Sequence, residues 1–105
     1  MLEGRKHERH HIKMLVQLSS MDEPLVSELA SIENVSLQGV RVKTERTWNP
    51  GSLVLVKSSG GELWARARAV YCQPVSPKGF AVGLDFFFMT VEWAMQSKQL
   101  WKTKT

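Results

Sequence analysis

Alternating apolar and polar residues predict short β-strands along most of the chain. In residues 12–19, the apolar side chains of Ile12, Met14, Val16 and Leu18 recur at every second position. Successive side chains of a strand point to opposite faces, so this period of two predicts a strand with one face on a core. Five or six short strands follow from the same reasoning, the others over residues 25–35, 39–44, 52–57, 62–73 and 80–88.

Turn residues separate these strands. Residues 21–24 are polar and end in a proline, and Asn49-Pro50-Gly51 joins a residue with a preset φ to one that tolerates positive φ. Residues 58–61 and 74–79 are similar breaks, rich in serine, glycine and proline. Short strands at this spacing are typical of a small antiparallel barrel or sandwich.

The chain changes character after Met89, where the spacing predicts one amphipathic helix. Thr90 is a suitable N-cap residue, and the lysines gather towards the end of the chain, as the helix dipole favours. The apolar face is predicted to carry Val91, Ala94, Met95 and Trp101. We expect this helix to cover an open side of the barrel.

Composition narrows the class of protein. The 105 residues, 43% hydrophobic and 23% charged, are typical of one globular domain. The single cysteine, Cys72, excludes an internal disulfide and a cysteine-cluster zinc site. No apolar run approaches the length of a membrane span and no signal-peptide pattern is present, so we expect a cytoplasmic protein. The net charge of +4 indicates an anionic partner.

Two arginines precede the first strand at a spacing suited to an anionic ligand. Arg5 and Arg9 form an Arg-x-x-x-Arg pair, and two guanidiniums so spaced can reach one doubly charged ligand. A solvated, basic N-terminus has the same appearance, so the pair alone leaves both interpretations open. The nearby histidines, His7, His10 and His11, lack metal-site spacing, and we expect no metal.

A second motif, Asn-x-Ser-x-x-Gly, follows in residues 34–39. In an extended segment Asn34 and Ser36 share a face and form a short polar ledge. Gly39 then allows a turn or the close approach of a ligand. A polar turn that closes a hairpin explains the same residues, and the motif alone does not decide between the two.

Both motifs in this order resemble the PilZ domain, the bacterial receptor module for cyclic di-GMP. The family pattern is Arg-x-x-x-Arg followed by Asp/Asn-x-Ser-x-x-Gly, and the matching residues are Arg5, Arg9, Asn34, Ser36 and Gly39. Residues 49–51, 69–71 and 81–86 resemble later parts of the family, so the resemblance covers about residues 4–100.

The resemblance implies an all-β fold, a six-stranded antiparallel PilZ-type β-barrel with a C-terminal α-helix. Residues 1–11 would be a basic ligand-clasping segment and residues 12–105 the barrel with its helix. Arg5 and Arg9 would bind the phosphates and guanine of cyclic di-GMP, Asn34 and Ser36 the edge of the second guanine, and Gly39 would give the base clearance. The implied protein is a receptor or adaptor for an effector protein, neither an enzyme nor dependent on a cofactor.

The sequence departs from the family pattern at one position, and it leaves two other functions open. Gly4 stands where many members carry a basic residue that accompanies a stacked ligand dimer, which favours one bound nucleotide here.

The chain could instead be a degenerate barrel that acts only as a protein-interaction subunit, for example in pilus or motility machinery. A barrel that binds single-stranded nucleic acid is less expected, since only Trp64 beside Arg66 and Arg68 offers an aromatic, basic face.

Overall fold

Six antiparallel strands form a closed barrel, which confirms the predicted fold class. The computed structural model describes residues 14–23, 25–36, 38–59, 63–91 and 93–95. The strands are β1 (Leu15–Ser20), β2 (Ser27–Val35), β3 (Gly39–Thr44), β4 (Leu53–Ser58), β5 (Trp64–Pro74) and β6 (Phe80–Met89). Their order around the barrel is β1-β2-β3-β6-β5-β4, with β4 paired to β1.

The period-two pattern gives the barrel its core. In β1, Val16 and Leu18 are fully buried, whereas Leu15 and Gln17 face outward. The fully buried residues of β5 are the alanines Ala65, Ala67 and Ala69, whose small side chains suit the narrow interior of a six-stranded barrel. The buried core residues come from all six strands: Val16, Leu18, Ala30, Val40, Val42, Val54, Val56, Ala65, Ala67, Ala69, Val82 and Leu84.

Register shifts interrupt the ladders at three places that sequence alternation did not reveal. One lies in the β2–β3 pair, between Ile32 and Asn34. Two lie in the β5–β6 pair, between Arg66 and Ala67 and between Ala69 and Tyr71. An extra residue on one strand bends that strand and increases its twist, which helps a small sheet to close.

The carboxylate of Glu28 holds the loop between β3 and β4 against one end of the barrel. Its Oε2 accepts a hydrogen bond from the backbone N–H of Glu45 (2.9 Å). Its Oε1 accepts from the backbone N–H of Arg46 (3.3 Å) and from the indole Nε1–H of Trp48 (2.9 Å). Trp48 is buried in the core, so Glu28 supplies the acceptor that a buried indole requires.

The C-terminal helix begins as predicted but presents a different face to the barrel. The Oγ1 of Thr90 accepts a hydrogen bond from the N–H of Trp93 (3.2 Å), which confirms Thr90 as the N-cap. Val91 and Met95, predicted to face the core, are 71% and 66% exposed. Trp93 is the buried residue and packs edge-on against Phe86 at 5.4 Å between ring centroids. The prediction was wrong for Val91 and Met95, because the large aromatic contact of Trp93 decides which side of the helix meets the barrel. Ala94 is half-buried, and Trp101 lies outside the described residues.

Within the described part of the chain, no helix combines the length and apolar character needed to cross a membrane.

We predict that Glu28→Ala lowers the free energy of unfolding by about 2 kcal/mol, since it leaves three donors without their charged acceptor. Glu28→Gln keeps one side-chain oxygen and should cost about half as much. Denaturant-induced unfolding measures both values. The matched control is Glu45→Ala, because the Glu45 side chain is exposed and should contribute little. Equal stability of Glu28→Ala and Glu45→Ala would show that Glu28 does not hold the loop.

Candidate functional site

The hydroxyl of Ser36 organises the turn between β2 and β3. Its Oγ accepts hydrogen bonds from the backbone N–H groups of Gln38 (3.3 Å) and Gly39 (3.2 Å) and donates one to the Gly39 carbonyl oxygen (3.3 Å). The Ser36 N–H also donates to that carbonyl oxygen, at 2.9 Å. A serine hydroxyl has one donor and two acceptor sites, so this turn uses all of them.

Gly39 fixes the same turn to β6. It pairs with Asp85, and a Cβ at this position would overlap the backbone carbonyl oxygen of Leu84. The Phe86 N–H donates to the Gln38 carbonyl oxygen at 2.8 Å, which anchors the turn a second time. The described structure thus gives this glycine a steric role towards β6. Its predicted clearance for a base remains a prediction.

Four residues form a row across the outside of the barrel, next to this turn. Asn34 of β2 pairs with Arg41 of β3, Arg41 with Gly83 of β6, and Gly83 with Tyr71 of β5. The Tyr71 ring lies on Gly83, since a Cβ on this glycine would overlap ring atoms. Asn34 is exposed and Tyr71 is half-buried. The row therefore places an amide, a guanidinium and an aromatic ring on one open face.

Arg41 is the functional candidate that the sequence motifs missed. Its Nε lies 3.3 Å from Oε1 of Glu33, the residue at the β2 register shift. Both side chains are partly exposed, so the pair contributes little to stability and an anionic ligand can compete with Glu33. The sequence pattern that could have pointed to Arg41 is the placement of the basic residues Arg41 and Lys43 on one face of β3.

The structure brings together three of the five predicted ligand-binding residues. Asn34, Ser36 and Gly39 lie within one strand end and turn, and the half-buried Val35 separates two exposed neighbours, as the predicted polar ledge requires. Arg5 and Arg9 lie outside the described residues, so their predicted roles stay predictions.

The basic face of β5 is more aromatic than the sequence indicated. The Arg66 guanidinium lies 5.5 Å from the ring centroids of both Trp64 and Phe88. Phe87 and Phe88 are 54% and 46% exposed, although strict alternation would place only one of two neighbours outside. The register shift next to Arg66 explains the difference, because it breaks the alternation where these phenylalanines pair with β5.

Comparison with known proteins identifies the family. The PilZ domain model matches residues 3–98, nearly the whole chain, and the chain belongs to the PilZ domain family. This confirms the resemblance seen in the two motifs. PilZ domains are receptor modules for cyclic di-GMP that bind rather than catalyse. Neither the curated proteins nor the solved structures contain a significant match to the chain.

We predict that Gly39→Ala lowers the free energy of unfolding by at least about 2 kcal/mol, since the new methyl group meets rigid backbone of β6. The control is Gly51→Ala. Gly51 has a φ of 93° but no neighbour within 4 Å, so only backbone strain of about 1 kcal/mol is expected there. Denaturant-induced unfolding compares the two variants, and a smaller loss at position 39 than at 51 would contradict the close contact.

Proposed function

We propose that this chain is a cyclic di-GMP receptor that acts on a protein partner. The observation that carries the proposal is the Asn34–Ser36–Gly39 turn, held against β6 on an open face of the barrel. The family match includes the turn and extends back over the Arg-x-x-x-Arg pair. The proposal thus concerns a binding site for an anionic dinucleotide.

In this proposal Arg5 and Arg9 bind the phosphates and one guanine. A guanidinium presents paired donors that match a phosphate, and the same fork bonds to O6 and N7 of guanine. A protein that grips two phosphates and two purines gains more from arginine than from lysine. Arg41 adds a third guanidinium beside Asn34, released from Glu33 when a phosphate is near.

Asn34 and Ser36 are proposed to bind the edge of the second guanine. The Asn34 amide offers both a donor and an acceptor to a base edge. The Ser36 hydroxyl would exchange one of its long bonds, at 3.2–3.3 Å, for a bond to the base. Gly39 keeps the turn in place by its contact with β6, so the turn is already shaped before the ligand arrives.

Tyr71 is proposed as a stacking surface for a guanine. Two strand spacings, about 10 Å, separate Asn34 from Gly83, and the Tyr71 ring lies on that glycine. One face of the ring packs on Gly83, which leaves the other for a base. A guanine bound between the Asn34 amide and this ring would meet hydrogen-bonding groups at its edge and a π-surface at its face.

The proposed output is an ordering of residues 1–11 over the bound nucleotide. A ligand shifts a conformational equilibrium only if it contacts the two states differently, and Arg5 and Arg9 would supply those contacts. The ordered segment would then expose or cover a surface for an effector protein. We propose a stoichiometry of one nucleotide per chain, since Gly4 replaces the basic residue associated with a ligand dimer.

We predict that Arg9→Ala weakens cyclic di-GMP binding by roughly 10- to 100-fold, the loss expected for a charge-assisted, bidentate contact. Isothermal titration calorimetry of the full chain measures the affinity and the number of ligands bound. GTP and cyclic AMP serve as ligand controls. The matched protein control is Arg46→Ala, which removes the same charge from the exposed loop between β3 and β4.

Two results would contradict the receptor proposal. If Arg9→Ala and Arg46→Ala bind the nucleotide equally well, the arginine pair is not the ligand clasp. If the unmodified chain shows neither heat of binding nor a thermal shift with cyclic di-GMP, the function becomes that of a barrel that only binds proteins.

We predict that Tyr71→Leu weakens cyclic di-GMP binding about tenfold, the lower range of base–aromatic stacking energies. Leucine still covers Gly83 but has no π-face. Tyr71→Phe keeps the ring and should bind as the unmodified chain does. Calorimetry measures both affinities, and thermal unfolding verifies that the two variants are folded. Equal affinity of the leucine and phenylalanine variants would remove Tyr71 from the site.

A further inference from the structure

A second surface, made of residues outside the candidate nucleotide site, lies on the outside of β4, β5 and β6. It contains a groove of about 360 Å³ lined by Met21, Leu55, Lys57, Trp64 and Arg66. Phe88 extends this surface through its pairing with Arg66. We call these six residues the basic-aromatic surface. Exposed apolar surface next to charged groups is typical of an interaction site.

Arg66 is the centre of the basic-aromatic surface. Its guanidinium lies over both Trp64 and Phe88, whose ring centroids are 5.2 Å apart with an interplanar angle of 31°. In the part of the chain that the structure describes, no carboxylate lies within ion-pair distance of Lys57 or Arg66. The rings hold the guanidinium in place while its N–H donors stay available to an incoming group.

The charge of this surface argues against a second copy of the chain as its occupant. A symmetric dimer would bring each patch against an identical patch. Lys57 and Arg66 would then face cations of the partner, and juxtaposed like charges oppose association. An occupant with carboxylates meets no such opposition.

The aromatic geometry argues against a single-stranded nucleic acid. Bases bind such proteins by stacking on exposed ring faces. Here the Arg66 guanidinium already lies over Trp64 and Phe88, and a base approaching from that side would have to displace it. A carboxylate, in contrast, needs only the donors of the guanidinium.

We propose that the basic-aromatic surface binds an acidic segment of a partner protein that carries one apolar anchor residue. Carboxylates of the segment bond to Lys57 and Arg66, and the anchor enters the groove between Met21, Leu55 and Trp64. Tryptophan, arginine and methionine are enriched at the centres of protein interfaces, and tryptophan and arginine dominate their binding energy. This inference rests on the proposed function only in that it assigns a place for the effector protein.

The surface is separate from the candidate nucleotide site, so the two can be tested independently. No residue of the basic-aromatic surface is among the proposed nucleotide contacts. Along β6, Phe86, whose N–H donates to the Gln38 carbonyl oxygen of the turn, and Phe88 lie two positions apart, about 7 Å at the rise of an extended strand. Arg66 has no part in the proposed nucleotide contacts, and Arg66→Gln should leave cyclic di-GMP affinity unchanged.

The test uses a short fluorescein-labelled peptide in which one leucine, as the apolar anchor, is flanked by aspartates. Fluorescence anisotropy measures its binding to the full chain, with and without cyclic di-GMP. We expect saturable binding that Arg66→Gln weakens at least about tenfold and Phe88→Thr weakens measurably. Arg46→Gln, which removes an exposed charge elsewhere, should bind the peptide as the unmodified chain does.

Three further probes decide the chemistry of the occupant. A peptide with lysines in place of the aspartates, and one with a serine in place of the leucine, should both fail to bind. Equal binding of either would overturn the proposal, as would the absence of any binding by the acidic peptide. If labelled oligo-deoxythymidine binds more tightly than the acidic peptide and its binding depends on Arg66, the surface binds nucleic acid instead. If sedimentation experiments show a dimer that depends on Arg66, the surface serves self-association instead.

A failure here is distinguishable from a failure of the receptor proposal. If the chain binds the peptide but not cyclic di-GMP, the proposal for the basic-aromatic surface stands and the receptor proposal fails. If the chain binds cyclic di-GMP but not the peptide, the receptor proposal stands and the proposal for the basic-aromatic surface fails.

Discussion

The close approach of Gly39 to the backbone of β6 is the constraint on which the candidate site depends. β3 pairs with β6, a strand that does not follow it in the chain, and a side chain at Gly39 would overlap the Leu84 carbonyl oxygen. The same approach lets the Phe86 N–H reach the Gln38 carbonyl oxygen. The turn that carries Ser36 is therefore held by the pairing of β3 with β6, and its shape does not have to be stabilised by a ligand.

Strand β6 also connects the candidate site with the core, the C-terminal helix and the basic-aromatic surface, because its successive residues contact different parts of the molecule. Gly83 supports the Tyr71 ring, Leu84 enters the core, and Phe86 packs on Trp93. Phe88 then reaches the Arg66 guanidinium. The row of residues at the candidate nucleotide site and the basic-aromatic surface therefore both include residues of β6. The register shifts between β5 and β6 determine which residues face outward at each of the two places.

Period-two patterning was sufficient to predict the strands, because burial on one face is a local property of the sequence. The bounds of β3, Gly39–Thr44, were predicted without error. The turn at Gly51 was predicted from proline and glycine chemistry, and Gly51 indeed has a φ of 93°. Patterning failed where contacts between distant residues decide the outcome. Trp93 is buried by Phe86, the Tyr71 ring lies on Gly83, and neighbouring phenylalanines both face outward beside a register shift. None of these relations is encoded in a window of a few residues.

The satisfied turn also constrains how a signal can leave the proposed receptor. Every hydrogen-bonding site of the Ser36 hydroxyl is used, and Gly39 is fixed between the turn and β6. Rearranging this turn would break several bonds and separate packed backbones, at a cost that two guanine-edge contacts would hardly offset. Residues 1–11 carry the arginine pair and precede β1 in sequence, and the six described strands do not include them. In the proposed mechanism, the nucleotide therefore acts on this segment and leaves the barrel as a rigid platform that presents it to a partner.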